Sequence, residues 1–346
     1  MSIIGGVGDF FGLDIGTSAL RMVQLKGSGP VKTLARYGMM PLDSKLAYSD
    51  ARADQQKLAT AIKDFLSQSG VSTKNVAVGL PSSKVFTTVV DIDRLAPSEL
   101  AKTIQYQADA LIPTPLAESK IDWALLGDSP KDRTKVEVLL SSVPNEFIEK
   151  RLDMLEGIGL NVIAFEPDSM AMTRSIVPIG QNAAEMVLDI GSRATDLVIT
   201  MNGGARLTRS IPTGTESIVR SAVQNLNIEE QQAEQFVFKF GLSQDKLEGQ
   251  IYNAIVGTVD LLIGEIEKSI KFFQTRYGGT KIERIIVTGG ASTLPEFPLY
   301  VANKFGMAVE IGNAWRNIAF PPDKQNELLS VSNHFAVAAG LAERQE

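Results

Sequence analysis

Short apolar runs closed by turn residues dominate the start of the chain. FGLDI (11–15), LRMVQL (20–25) and VKTLARYGMM (31–40, after the turn GSGP) predict three strands. The period then changes. DQQKLATAIKDFLSQSG (54–70) sets Leu58, Ile62, Phe65 and Leu66 on one helical face and stops at Gly70. NVAVGL (75–80) predicts a further strand, so the opening segment reads as a mixed α/β layer.

From about residue 85 the pattern restarts. VFTTVVDI, IDWALL and KVEVLLSSV predict strands, and PSELAKTIQYQADALI and PNEFIEKRLDMLEGIGL predict helices, the first with Pro97 in its first turn. With NVIAFEP (161–167) as a last strand, the order β-α-β-β-α-β reads as a compact inserted module. PDSMAMTRSIV predicts a helix and PIGQNAAE a hinge. Three strands recur in MVLDI, ATDLVITM and ARLTRSI, the last two joined by the hairpin turn MNGG. Residues from about 214 to 277 are largely helical, with Val259, Leu262, Ile263, Ile266, Ile270 and Phe273 on one stripe before Gly278-Gly279. IERIIV predicts a final strong strand, running into TGGAST and a helix around PEFPLYVANKF.

Composition narrows the chemistry. With 346 residues, 44% hydrophobic and 21% charged, the chain has ordinary globular composition and a length suited to two domains. The net charge of −6 is spread without a basic run, which argues against nucleic acid as a partner. There is no cysteine and one histidine, His334, expected to pack or cap a helix. Thiolate metal sites and Ser-His-Asp catalysis are disfavoured, and any metal would be a hard cation held by carboxylates, water and phosphate. No secretory signal or membrane-spanning segment is visible, and a cytoplasmic protein is expected. Ile3, Ile4, Phe10 and Phe11 could touch a membrane or partner, or simply belong to a frayed terminus.

The two halves repeat each other. GLDIGTSALRMV aligns with VLDIGSRATDLV, matching Asp14 to Asp189, Gly16 to Gly191 and Thr17 to Ser192. Duplication predicts two similar α/β domains facing across a cleft. In each copy a glycine after the strand lets backbone N–H groups approach an anion, and a hydroxyl adds a donor. A carboxylate beside a phosphate calls for a bridging divalent cation, so Asp14 and Asp189 could hold Mg²⁺ through water. Each Asp could instead merely cap its own turn; two copies at matching positions favour the ligand reading. Gly289, Gly290 and Ser292, between a strand and a helix, fit a third ligand-contacting loop. No Walker-type loop is present, and Gly6, Gly8 and Gly12 precede the first strand, against a dinucleotide fingerprint.

Two Asp-Gly hairpins, a GG loop and the connections FEPDSMAMTR and HFAVAAGLA resemble the actin-like ATPase superfamily. Within it, YQADALIPTPLAESKIDWALL, the FEP connection and EIEKSIKFFQ resemble the PilM family of type IV pilus assembly proteins, itself similar to FtsA. The resemblance implies an actin-like, ribonuclease H-like α/β fold with two duplicated domains around a nucleotide cleft. The first domain would be 1–85 with 163–183 and 333–346, the inserted α+β subdomain 86–162, and the second domain 184–332. It implies ATP and Mg²⁺ as ligands, with weak hydrolysis at most. Asp14, Gly16, Thr17, Ser18 and Arg21 would form one phosphate loop, Asp189, Gly191 and Ser192 the other, and Glu234, Gly289, Gly290 and Ser292 the nucleoside side. Glu166 would either face the attacking water or cap a helix before Pro167.

The same resemblance implies binding of the cytoplasmic tail of a PilN-like inner-membrane protein in a groove between the first domain and the inserted module. A PilO-like protein and the pilus motor ATPases would be reached indirectly. Leu111, Ile112, Pro113 and Pro115 would contact that tail, unless the prolines are only a helix stop. The chain departs from the pattern at Arg21, where relatives carry lysine, and at Val237, where relatives place an adenine-side lysine and Lys239 is turned away. The alternatives are a sugar or acetate kinase of the same superfold and an FtsA-like filament-forming tether.

Overall fold

In the computed structural model, which describes residues 9–27, 29 and 31–345, the expected strands assemble into three sheets. Strands β1 (Phe11–Ile15), β2 (Ala19–Lys26) and β3 (Lys32–Pro41) form an antiparallel meander. Helices α1 (Ser44–Tyr48) and α2 (Arg52–Ser69) lead to β4 (Asn75–Leu80), which runs parallel beside β1. Helix α2 buries Leu58, Ile62 and Phe65 and stops at Gly70 in the left-handed conformation, as its apolar spacing and glycine dictate. Phe11 is fully buried in this lobe and is not free for a membrane, and Phe10 is half-buried against a neighbouring core cluster; Ile3 and Ile4 lie outside the described residues.

The small sheet consists of β5 (Phe86–Asp93), β6 (Ser119–Asp128) and β7 (Lys135–Pro144) in the order β5-β7-β6. Helix α3 (Pro97–Leu111) covers one face, packing Leu100, Ile104 and Ala108 on Ile92, Val136, Val138 and Leu140. On the opposite face Val89, Leu126 and Leu139 meet Val187, Val198 and Ala205 of the second lobe. Helix α4 (Asn145–Gly157) brings the chain back to β8 (Asn161–Pro167), which pairs in parallel with β4 of the first sheet. The last strand of the expected β-α-β-β-α-β module therefore belongs to the large sheet. There, as the outer strand, it packs Val162 and Phe165 on one core cluster and Ile163 and Ala164 on another.

After α5 (Asp168–Ile176) come β9 (Ala184–Ile190), β10 (Thr195–Met201) and β11 (Gly204–Ile211), with Asn202 and Gly203 at positive φ forming the two-residue hairpin turn. Helices α6 (Thr215–Leu226), α7 (Glu230–Phe240) and α8 (Gln250–Arg276) follow, then β12 (Ile282–Thr288), α9 (Phe297–Phe305) and β13 (Ala308–Ile311). This sheet runs β11-β10-β9-β12-β13. The expected stripe of α8 is wholly buried against it, so truncating a residue such as Ile266 to alanine costs about 2–5 kcal/mol. The chain re-enters the first sheet at β14 (Ile318–Ala319), which pairs with β3 before 333 is reached. It ends in α10 (Gln325–Val331) and α11 (Ala336–Ala342).

Helices α5 and α11 join the lobes and touch at their backbones. A Cβ on Gly340 would lie 1.8 Å from the carbonyl oxygen of Ala171, so only glycine permits this crossing. All seven residues of α11 are buried, which explains a final helix made almost entirely of small apolar side chains.

Candidate functional site

Each duplicated hairpin ends its first strand on an aspartate and turns on a glycine. Asp14 sits opposite Arg21 across β1–β2, with Arg21 Nη1 at 3.2 Å from Asp14 Oδ2. Asp189 sits opposite Asp196 across β9–β10. The two tips face one another and enclose a cavity of about 430 Å³. Asp14, Gly16, Thr17, Ser18 and Arg21 line it from the first lobe, and Asp189, Gly191 and Ser192 from the second. Glu234 of α7 and Gly289-Gly290 after β12 form a further wall. Eleven of the residues expected from the sequence thus meet in one place.

Gly289 makes that meeting possible. Its φ is +81°, and a Cβ there would lie 2.3 Å from Asp189 Oδ1. Ser292 plays a different part from the one expected. It is fully buried; its hydroxyl donates to Gly289 O at 2.7 Å and accepts from Asn333 Nδ2 at 3.0 Å, so it shapes the loop from behind.

Glu166 does not reach this cleft. It is 5% exposed, and its carboxylate is held by Arg174 and by Arg344 Nη1 at 3.1 Å. The side chain lies at the end of β8 on the face turned away from the hairpins. The acid that enters the cleft from this connection is Asp168, the first residue of α5. A Cβ on Gly79 would stand 2.2 Å from Asp168 Oδ1, and that buried oxygen has no hydrogen-bond partner among the described residues. Val237 is likewise not a cleft residue: it is fully buried in the second-lobe core, while Glu234 and Phe238, one helical turn apart, face the cavity.

Leu111, Ile112, Pro113 and Pro115 close α3 instead of lining a groove. The Ile112 N–H caps the helix on Ala108 O at 2.9 Å, and its side chain, 8% exposed, is part of the small sheet's core. The prolines that follow cannot extend the helix, having no N–H. A groove does exist between the first lobe and the small sheet, a cavity of about 400 Å³. Its walls are Leu80, Phe165 and Met170 on one side and Trp123 and Leu139 on the other, with Glu166 and Arg344 also lining it.

The cleft is electrostatically loaded. Burial pushes the Asp189 carboxyl up to about 7, with the charges of Asp196 and Asp14 adding and Arg21 opposing. Burial, then the charges of Asp14, Asp196 and Asp189, hold Asp168 well above the usual carboxylate range. Asp14 is raised by burial and pulled back by Arg21. Asp196 is raised by burial against the Ser210 and Ser82 hydroxyls. Such a group of reluctant carboxylates favours a ligand that brings positive charge. Yet among the described residues no three acidic or imidazole side chains stand close enough to enclose a metal. A cation here would need water and ligand oxygens to complete its shell, as a hard divalent ion accepts.

Asp168, Asp196, Tyr48, Phe238 and His334 were not singled out as site residues from the sequence, and all line the cavity. Asp196 was within reach, because it occupies in the second hairpin the place of Arg21 in the first. Tyr48 and Arg193 lock the mouth from opposite lobes, the guanidinium 4.6 Å above the ring. His334, expected to pack or cap, faces the cleft in a form kept neutral by burial and by Arg21.

The chain resembles known proteins along nearly its whole length. It is 24% identical over 260 residues to the cell division protein FtsA of Streptococcus pneumoniae, 68% of this chain and 56% of that protein, so it spans little more than half of this relative. Its fold matches a chain of a PilM–PilN type IV pilus biogenesis complex with a TM-score of 0.82 at 24% identity, covering 96% of this chain and 97% of that one. It also matches MreB5 of Spiroplasma citri, solved with AMPPNP, with a TM-score of 0.55 at 14% identity over 97% and 95% of the two chains. The fold is therefore the actin-like α/β architecture that the resemblance implies. The family described as type IV pilus assembly protein PilM matches residues 12–346, and the chain belongs to it.

Proposed function

We propose that this chain is a nucleotide-binding scaffold of the type IV pilus assembly platform, acting at the cytoplasmic face of the inner membrane. Its product is an assembled complex. It would grip the cytoplasmic N-terminal tail of a PilN-like membrane protein and, through that protein, reach a PilO-like partner and the motor ATPases. No helix among the described residues is long and apolar enough to cross a membrane, so attachment falls to a partner. The observation that carries the reading is the pair of separate cavities: a polar cleft between duplicated hairpins and an apolar groove beside the small sheet.

The cleft residues fit a nucleotide with a divalent cation. Thr17, Ser18 and Ser192 supply hydroxyls, Gly16 and Gly191 open backbone approach, and Arg21 supplies positive charge. The unpartnered Asp168 Oδ1 and the raised Asp189 carboxyl suit a hydrated Mg²⁺, which would screen the phosphates from the acids. Phe238 offers a ring to a base beside Gly289-Gly290, so base contact would be apolar in place of the family's lysine. On this reading residues 86–162 supply one wall of the groove and the first lobe the other, while the two duplicated lobes hold the nucleotide.

Titration of the full chain with a synthetic PilN-type tail peptide, and separately with Mg·ATP, tests the proposal. Saturable binding of both at one site each is expected. A flat calorimetric trace with the tail would sink the scaffold reading, and a flat trace with Mg·ATP would remove nucleotide from it.

A further inference from the structure

The small sheet ends in a free edge that opens into the groove. β7 is its central strand, so β6 is bonded on one side only. The phase of the ladder says which backbone groups are free. Arg94 N–H donates to Thr134 O at 2.9 Å, so even-numbered positions of β7 bond toward β5. Ser129 N–H donates to Lys135 O at 3.1 Å, so odd-numbered positions bond toward β6. Leu139, Ser141 and Val143 pair with Ala124, Asp122 and Lys120, which are therefore bonded inward. Ile121 and Trp123 turn their N–H and C=O groups outward.

One of those outward groups already has a stopgap. The Trp123 N–H donates to Oδ1 of its own neighbour, Asp122, at 2.8 Å. A charged side chain that guards an edge strand in this way prevents unwanted pairing, but it satisfies one donor and no carbonyl. The groove is built around the same stretch. Lys120, Ile121, Asp122, Trp123 and Ala124 all line it, although a strand shows only alternate residues on one face. The edge itself must therefore form part of the wall.

We propose that the tail binds as an extended strand added to the free edge of β6. Its backbone bonds to Ile121 and Trp123 and displaces the Asp122 carboxylate. Alternate apolar side chains of the tail then pack toward Leu139, Phe165 and Met170. The occupant is an extended peptide with alternating apolar positions, recognised by its backbone as much as by its side chains. This inference rests on the tail reading above and specifies how that site works.

Amide hydrogen exchange on the full chain, with and without the synthetic tail peptide, tests it. The Ile121 and Trp123 amides should slow at least about tenfold on binding, while those of Lys120, Asp122 and Ala124, already bonded to β7, change little. Peptides N-methylated at alternate positions should lose affinity about tenfold or more in one phase and retain it in the other. A tail that binds while leaving the Ile121 and Trp123 amides unchanged overturns the edge pairing but leaves the tail reading standing. Slowing of these amides with protein concentration alone assigns the edge to a second copy of the chain and overturns the proposal. A tail that does not bind at all removes the tail reading, and the pairing with it.

Discussion

Asp189 and Asp196 face each other directly across the β9–β10 hairpin, whereas the residue opposite Asp14 in the first hairpin is Arg21. The duplicated halves thus match in shape and differ in charge. One aspartate is neutralised by its neighbour; the other is opposed by it.

Burial of the Asp189 carboxyl, with the charge of Asp196 adding to it, sets a pH dependence. The Asp189 carboxyl holds its proton up to about 7 in the folded chain, against an ordinary value of 3.8. The folded state therefore binds more protons than the unfolded one between those values. The resulting stability is fully present below the lower value and is lost as pH rises through the upper one. Asp168, Asp14 and Asp196 are raised too and act in the same direction. The melting temperature of the nucleotide-free protein should fall between about pH 5 and about pH 7.5, and Asp196→Asn should flatten that fall. A differential scanning series across pH would check it; an unchanged slope in the variant contradicts the cause given.

The connection between β8 and α5 separates two acids that lie close in sequence. Glu166 is tied to Arg174 and Arg344 beside the groove, and Asp168 enters the cleft. Asp168→Asn should lower any ATP turnover by about a hundredfold or more, in the range of a lost general base. Glu166→Gln should leave turnover within about twofold, because its carboxylate touches no cleft residue. Steady-state phosphate release from both variants distinguishes them. Equal losses would mean that Glu166 acts through the chain segment it shares with Asp168.

Much of this site was legible before any coordinates. The two LDIG repeats located both hairpins because a strand, a turn glycine and a hydroxyl must be adjacent in sequence to work together. Gly289-Gly290 could be found for the same reason. Residues whose role depends on which way a strand or helix faces were not legible. The sequence points to Glu166, whereas Asp168, two residues on and across the strand–helix junction, enters the cleft; it points to Val237, whereas Phe238 faces the cavity. Between Val237 and Phe238, a single-position error in helical phase moves a side chain from cavity to core. Ile112 failed similarly, since an apolar residue beside prolines looks the same in a partner groove and in a core. The β-α-β-β-α-β pattern alone groups β8 with the small module, because pairing partners far apart in sequence leave no local trace; the family resemblance, which puts 163–183 with the first domain, places most of it correctly.

A buried ion cluster fastens the small sheet to the second lobe. Glu137 of β7 is 1% exposed and meets Arg206 Nε at 3.2 Å, Arg276 Nη2 at 2.9 Å and the Tyr277 hydroxyl at 3.0 Å. Arg276 also reaches Asp91 at 3.1 Å. Glu137→Ala would strand two guanidinium groups with one acid between them, and a loss of about 3–5 kcal/mol is expected. Glu137→Met combined with Arg206→Met should recover part of that loss, since both charges then leave together. Equilibrium denaturation of the three proteins gives the comparison. A cost near zero for Glu137→Ala would show that water reaches the cluster.

The two cavities can also be separated by substitution. Met170 lies in the groove wall on α5, and the cleft lining contains no part of its side chain among the described residues. A carboxylate placed there would be desolvated beside Phe165 and Leu139 under an apolar tail, while Arg344, the guanidinium that also lines the groove, is already paired with Glu166. Met170→Glu should therefore weaken the tail by about a hundredfold, roughly 2.7 kcal/mol, and leave Mg·ATP binding within about twofold. Gly289→Ala should do the reverse. Its new Cβ meets Asp189 Oδ1 at 2.3 Å and its φ of +81° disfavours any side chain, so the cleft closes while the groove on the first lobe is untouched. Parallel titrations of both variants with both ligands give a crossed pattern if the sites are independent. Joint loss in either variant would instead show that helix α5, which begins at the cleft with Asp168 and carries Met170 in the groove, moves as one lever between them.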